Sequence, residues 1–512
     1  MHAPEKAPNR ELVRDLNVWH AIAIVVGTII GSGIFLVPKE MMEDVGSPGL
    51  VYLVWIVGGL LSFFGALTYA ELGAVRPFAG GEYVYVRDGY GPLAGFLYAW
   101  TWFLIAKPAS IASITSGLVR ILGHFSSFSF LPHPLISWHV SGGRVFEVTY
   151  GHLVAILATI LITALNYLGV RKAGNFQLIF TALKVLMIAG IAVVGFTASS
   201  GSWSNFGTEF LGAKGGMAGF MAALVAALWA YDGWNDLNMV SGEIRNPERS
   251  IPVALIAGVA VVAVLYMGVS AAIQYAMPAA LVAHSETPGS DATQLAIGAW
   301  GAALVSVGMA LSMLVTLNGT IMSGGRIPYA VARDGYFFRV LAEVHPRFHT
   351  PSLALVIQAL LAIVLLLVGG AFKELFSLAI FAEWLFYMIA ASTIFVFRWR
   401  EPDRPRPYRT WGYPVVPALF IVAAAVLLYY TFTDNLQNSI WGSIVILTGV
   451  PTYYYFATRS KFFLIPLLAE ATAFIFYIGT HNLELTTKIL WSAAGTFLLS
   501  WLEYWRRRKA RR

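Results

Sequence analysis

GTIIGSGIF, residues 27–35, and WAYDGWND, residues 229–236, each interrupt a long apolar stretch near its middle. In the first, Gly27, Gly31, Ser32 and Gly33 stand where a helix would otherwise run, and an interior glycine weakens a helix by about 1 kcal/mol relative to alanine. In the second, Asp232 and Gly233 break an otherwise apolar run. Crossing a bilayer takes about 20 apolar residues in helical form, and stretches of that length recur along the chain. They fall near residues 18–45, 49–75, 93–122, 149–168 and 173–198, then near 216–242, 251–277, 301–331, 352–370 and 374–398. Four more, near 415–434, 440–458, 462–479 and 487–505, bring the expected number to about fourteen. The interrupted stretches are therefore the first and the sixth, in corresponding places of two five-span halves. Because five is odd, the second half enters the membrane from the opposite side, which makes an inverted-topology pair; glycine-interrupted helices at equivalent positions of such halves point to a transporter binding site.

Composition agrees: 58% of the 512 residues are hydrophobic and only 12% are charged, which excludes a soluble globular domain. The net charge of +7 does not indicate nucleic acid, because the basic residues gather in alternate connections. Arg10 and Arg14, Arg76 and Arg87, Arg171 and Lys172, Arg245 and Arg249, Arg326 to Arg347, Arg398 to Arg409, Arg459 to Lys461 and the closing RRRKARR fall on one side. Lys and Arg are retained in the cytoplasm, so both termini are expected there and the chain is expected in a cell membrane. The charged stretch holding Arg10, Glu11, Arg14 and Asp15 does not resemble a cleavable signal. The expected organisation is a tail at 1–17, five-span units at 18–198 and 216–398, four further spans at 415–505 and a basic tail at 506–512. With no cysteine, disulfides, thiolate metal sites and a cystine link to another subunit are excluded. No H-E-x-x-H and no G-x-x-x-x-G-K-[ST] occurs, so neither catalytic residues, nor a metal, nor a cofactor is expected.

A broken helix leaves free N–H groups at the start of one half and free carbonyls at the end of the other, which favour an anion and a cation respectively. An α-amino acid presents both charges a few ångströms apart. Unwound backbone at 31–33 is suited to the carboxylate, and carbonyls near Ile29 and Trp229 to Tyr231 to the ammonium. GTIIGSGIF alone reads equally as a small-residue packing face; its symmetric counterpart weighs against that.

Several segments carry a family resemblance: GTIIGSGIF, GGLLSFFGALTYAELG at 58–73, PFAGGEYVYVRDGYGP at 77–92, WAYDGWNDLN with EIRNPERSIP, and TLNGTIMSGGRIPYAVARDG at 316–335. The chain resembles the L-type amino acid transporters of the amino acid, polyamine and organocation superfamily over residues 15–400. The resemblance implies an all-α polytopic protein of the LeuT-type five-plus-five inverted fold, alternating access and sodium-independent exchange of amino acids. It places Ile29, Gly31, Ser32 and Gly33 against the substrate backbone and Trp229, Ala230 and Asp232 on the opposite wall, where Gly233 completes the break. Many relatives have a gating Phe at the position of Trp229. Ile34 adds apolar wall and favours large neutral side chains, whereas Asp232 and Asp236 leave cationic ones open. The missing cysteine between the third and fourth spans argues against the disulfide-linked accessory subunit of animal relatives.

Lys184 lies halfway along the fifth span, where a lysine costs about 2.5–3.5 kcal/mol to insert. The resemblance implies that its ammonium stands in for a sodium ion, bridging carbonyls near Gly27 to Gly31 and the Thr316 hydroxyl. A purely structural ion pair and release of a proton from this lysine during transport are the other readings. Lys107, before Pro108, and Glu383 are candidate cavity residues, with snorkelling or a kink and an interhelical bond as their alternatives. Asn235 and Asp236 read as caps of the second half-helix, with substrate contact a lesser role for Asn235. Glu71, Arg76, Arg326 and Arg333 are expected at an intracellular gate or as interface anchors. A proton-coupled symporter and a membrane amino acid sensor are the competing functions.

Overall fold

The computed structural model describes residues 11–123, 125–140, 144–368, 372–434, 436–460, 463, 466, 468 and 483–510. The first span is two helices, Val18–Ile29 and Gly33–Val45, bent by 40°. The second is Pro48–Val75, the third Pro92–Leu122, the fourth Tyr150–Tyr167 and the fifth Val170–Gly195. The sixth is broken into Gly216–Ala230 and Asp236–Met239. Pro247–Ala276, Ala299–Gly324 continued by Arg326–Arg333, Ser352–Val368 and Phe372–Arg400 form the seventh to tenth. Beyond them lie Val415–Asp434, Leu436–Thr458 and Leu483–Ala510. The span expected at 462–479 falls largely outside the described residues. Among those described, seven helices are long and apolar enough to cross a membrane, and the bent first pair makes an eighth.

Local chemistry sets the helix starts. Asn17 accepts the backbone N–H of His20 while the His20 ring returns to the Asn17 N–H, a reciprocal cap. Ser47 caps the second span ahead of Pro48, whose missing N–H costs nothing in the first turn. Thr149 and His152 repeat the reciprocal cap at the fourth. Leu157, Leu161, Leu186 and Val264 are exposed on long helices, as befits surfaces whose solvent is lipid.

Packing between the halves is ordered. The first half-helix of span one packs on the second half-helix of span six, and the second on the first, so these two spans run antiparallel. Span two lies along span seven, span three along span eight and span four along span nine. Trp55 of span two, Tyr231 of span six and Tyr266 of span seven meet edge-on or tilted behind the two breaks, with ring centroids 5.1–5.7 Å apart. The helix Val415–Asp434 packs on spans two and ten. Its Phe420 ring stands 6.1 Å from that of Trp234, so at least one of the later helices buttresses the sixth-span break from outside.

Between spans three and four the chain forms an antiparallel hairpin, Pro134–Val140 paired with Arg144–Thr149. The Ile136–Val148 pair supplies the β-branched partners that help to hold a two-stranded ribbon.

Candidate functional site

The two breaks face each other. A Cβ on Gly33 would lie 3.1 Å from Cα and Cβ of Ala230, and one on Gly233 would lie 3.0 Å from the Thr28 carbonyl carbon. Gly233 also has φ +104°, open to glycine but strained for other residues. The Thr28 hydroxyl donates to the Gly233 carbonyl at 2.8 Å. From the seventh span, Tyr266 points its hydroxyl at the carbonyls of Ile29 (3.2 Å) and Ala230 (2.8 Å). The first half-helix ends at Ile30, whose N–H still reaches the Val26 carbonyl. The backbone N–H groups of Gly31, Ser32 and Gly33 make no hydrogen bond to any described residue.

Those N–H groups border a cavity of about 130 Å³. A water takes about 30 Å³ in the liquid, so the cavity has room for several water-sized groups. Thr28, Ile29, Gly31, Ser32 and Gly33 line it from span one, and Trp229, Ala230, Asp232, Gly233, Asn235 and Asp236 from span six. Span three adds Lys107, Ser110 and Ser113, span eight Met313, Thr316 and Thr320, and span ten Glu383, Trp384 and Tyr387. Lys107 forms an ion pair with Asp236 inside this wall. A π-helical turn, Trp102–Ala106, immediately precedes it; the wide turn accommodates Pro108, whose ring would clash with the carbonyl four residues back in a regular helix. Tyr387 donates to Asp232 (3.0 Å) or Asn235 (3.3 Å). The Glu383 carboxyl makes no hydrogen bond to a described residue and borders the cavity.

Behind the first break, Lys184 is fully buried. Its ammonium donates to the carbonyls of Gly27 (3.0 Å) and Ser312 (3.3 Å) and, more closely, of Ile30. An ammonium has three donors and no acceptor, and three carbonyls meet it one for one. The Thr316 hydroxyl donates to Gly27 or Ile30 at 3.1 Å and the Ser312 hydroxyl to Ile30 at 2.9 Å. Gln177 and Thr181, two turns and one turn before Lys184, both reach the Ala23 carbonyl, so one stripe of span five follows the first half-helix.

This broken-helix pocket has known counterparts. Residues 16–451 match the family model described as amino acid permease. The chain belongs to this family. The serine/threonine exchanger SteT of Bacillus subtilis is 31% identical over 454 residues, covering 86% of this permease and 97% of SteT. The b(0,+)-type amino acid transporter 1 of Mus musculus is 30% identical, over 87% of the permease and 88% of the relative. The large neutral amino acids transporter small subunit 2 of Mus musculus is 34% identical, over 86% and 81% respectively. The permease is a transporter and not an enzyme.

Several expectations need correction. Ile34 is fully buried and absent from the cavity wall, because the second half-helix turns it toward the core. Lys184 touches the Ser312 carbonyl rather than the Thr316 hydroxyl, which shares its acceptors instead. Asn235 and Asp236 cap nothing: the second half-helix has only four residues and no side-chain cap, and Asp236 is held by Lys107. Of the residues expected at an intracellular gate or as interface anchors, Glu71, Arg76, Arg326 and Arg333 each form ion pairs, with partners outside that set. Glu71 binds Arg398 (2.6 Å) and Arg406 (3.4 Å), Arg76 binds Asp88 (3.1 Å) and Glu401 (2.5 Å), and Arg333 approaches Glu11 (3.6 Å). Arg326 binds Glu243 with two bonds, 2.7 and 3.0 Å, both side chains fully buried. Burial works against the Glu401 carboxylate, but Arg404 and Arg76 hold its carboxyl below the ordinary range. The N-terminal strand joins this network, Leu16 donating to the Glu243 carbonyl (3.0 Å) and accepting from the Arg245 N–H (2.7 Å).

Sequence reasoning missed Tyr266, Ser312 and Tyr387. Each is a common residue in an apolar helix, and only the fold shows which way it faces.

Proposed function

We propose that this permease exchanges amino acids across a cell membrane by alternating access, without sodium, through two inverted five-span repeats. One observation carries the reading: the unpaired N–H groups of Gly31, Ser32 and Gly33 border the same cavity as Trp229, Asp232 and Gly233. The N–H groups bind the substrate carboxylate, because a helix start carries partial positive charge. The carbonyls of Ile29 and Ala230, each with a lone pair beyond the bond from Tyr266, receive the ammonium together with Asp232. Gly33 keeps the two breaks in contact, and Trp229 closes over the bound molecule.

Lys184 supports sodium independence. Its three donors are used on three carbonyls, and a neutral amine has only two, so the cluster favours a permanent charge over a proton carrier. The pairing of span one with six, two with seven, three with eight and four with nine supports the inverted repeats. The Arg-rich connections support cytoplasmic termini. A chain with no cysteine offers no cystine link to an accessory subunit.

A specific observation favours cationic substrates as a second reading. Asp232, Asp236 and Glu383 outnumber Lys107 around the cavity, so a positively charged side chain would meet a complementary wall. Uptake of radiolabelled L-leucine and L-arginine into proteoliposomes tests both. Exchange requires unlabelled amino acid inside; uptake into empty vesicles driven by a proton or sodium gradient would replace it with symport, and no uptake at all with a sensor.

A further inference from the structure

Directly beneath the cavity lies a carboxyl group for which the exchange reading has no use. Glu82 opens the short helix Glu82–Tyr90 between spans two and three and is fully buried. One oxygen accepts the Asn235 side-chain N–H at 2.9 Å and the other the Tyr98 hydroxyl at 2.5 Å. Asn235 is thereby turned so that its own oxygen faces the Tyr387 hydroxyl at 3.3 Å, and that hydroxyl also reaches Asp232 at 3.0 Å. Asn235, Tyr387 and Asp232 all border the cavity, so a single amide separates Glu82 from it.

Glu82 forms no ion pair with any described residue. Lys107 is engaged by Asp236, Arg76 by Asp88 and Glu401, Arg87 by Asp88 and Asp334, and Arg326 by Glu243. The groups around it are Tyr69 from span two, Tyr85 on its own helix, Tyr98 and Lys107 from span three, Asp232 and Asp236 from span six, and Glu383 and Tyr387 from span ten. Acids outnumber the one cation. Burial pushes the Glu82 carboxyl up to about 7, against the opposing effect of its bonds from Tyr98 and Asn235.

We propose that Glu82 is a proton-binding site of the permease, whose charge is reported to the substrate cavity through Asn235, Tyr387 and Asp232. The proton comes from water on the Arg-rich face when that face opens, and binds one carboxylate oxygen; no other bond is made or broken. As a carboxylate, Glu82 holds the Asn235 amide with its N–H groups inward. As an acid it becomes a donor, the amide turns its oxygen toward it, and the Asn235 N–H then meets the Tyr387 oxygen. The Tyr387 hydroxyl, now accepting from Asn235, keeps its hydrogen and donates its one hydrogen bond to Asp232 alone, and the negative charge under the cavity falls by one through the proton on Glu82.

The transport test rests on the exchange reading; a spectroscopic one does not. Exchange of radiolabelled L-leucine is measured in proteoliposomes with pH stepped equally on both sides from about 6 to about 8. Wild type is expected to change by about tenfold through a single titration, Glu82→Gln to lose that dependence, and Glu82→Asp to keep it with a lower midpoint. Infrared difference spectra of purified protein between the same pH values should carry a protonated-carboxyl band in wild type that Glu82→Gln lacks. A flat wild-type profile, or a Glu82→Gln profile matching wild type, overturns the proposal. If Glu82→Gln is inactive, the Glu82→Asp midpoint decides, an unshifted one counting against. If wild type exchanges neither L-leucine nor L-arginine, the exchange reading fails and the infrared band alone decides for or against the proton site.

Discussion

The two helix breaks meet at one cavity but work with different chemistry. Around the first, Gly31, Ser32 and Gly33 offer main-chain N–H groups and no charged side chain, and the Lys184 cation sits behind the break on its carbonyls. Around the second, Asp232, Asn235 and Asp236 present side chains that are paired in turn with Tyr387 and Lys107. Backbone dipoles suit a group that every amino acid carries. Side-chain charges suit what varies. On the proposed exchange reading the first break is the general half of the site and the second the selective half, and substitutions should divide along that line.

The largest effect is expected at Lys184. Lys184→Ala removes three donors and leaves the Gly27 and Ile30 carbonyls to the Thr316 and Ser312 hydroxyls alone. Losing charge-assisted bonds in a buried cluster costs about 3 kcal/mol, or roughly a hundredfold in exchange rate. The loss should be the same for L-leucine and L-arginine, because the general half of the site has failed. A wild-type rate in proteoliposomes would show that the first break needs no cation behind it. Gly33→Val comes next. Its side chain would push on Ala230 and Trp229, 3.1 and 3.6 Å from the added Cβ, and overpacking of about 1–3 kcal/mol predicts roughly a tenfold weaker apparent affinity. Unchanged affinity would mean that the contact between the two breaks does not shape the pocket.

How much of this is legible without coordinates follows from what each signal depends on. Span positions depend on local hydrophobicity, and Pro48–Val75 or Val415–Asp434 fall within a residue or so of their expected ends. The breaks are legible because glycine and aspartate are out of place in an apolar run, and Lys184 because its charge is. Partners are another matter. Arg76 and Arg326 are recognisable as gate candidates, yet their acids, Glu401 and Glu243, lie 325 and 83 residues away and are chosen by how loops fold back. The same holds for Asp236, which reads as a helix cap until Lys107 arrives from a different span. Glu82 is hidden for the opposite reason: in a connection between spans that also carries Arg87 and Asp88, nothing distinguishes the carboxyl that packing will bury.

Glu383 sharpens the comparison at lower cost. It borders the selective half without a hydrogen-bond partner among the described residues, so Glu383→Gln should leave the fold intact and change mainly the charge seen by the substrate. One charge acting across a partly screened cavity is worth about 1 kcal/mol, so the ratio of L-arginine to L-leucine uptake should fall by about fivefold. An equal fall for both substrates would place Glu383 in the general machinery and blur the division between the halves.

The smallest effect is expected where the first span carries charge away from the site. Lys39, in its second half-helix, pairs with Glu286 in the connection after span seven, whose side chain is 75% exposed. The hydrogen bond from Lys39, with its positive charge, holds the Glu286 carboxyl below the ordinary range. A lowered carboxyl stabilises the fold above the ordinary carboxylate range, and the contribution is lost as pH falls through the lowered value. Exposure and salt screen such a pair almost completely. Glu286→Gln should therefore shift the thermal midpoint at pH 7 by no more than about 1 °C and leave both the rate and the L-arginine to L-leucine ratio unchanged. A clear change in either would mean that the outer half of the first span helps to gate the cavity, and that the first break is not governed by main-chain chemistry alone.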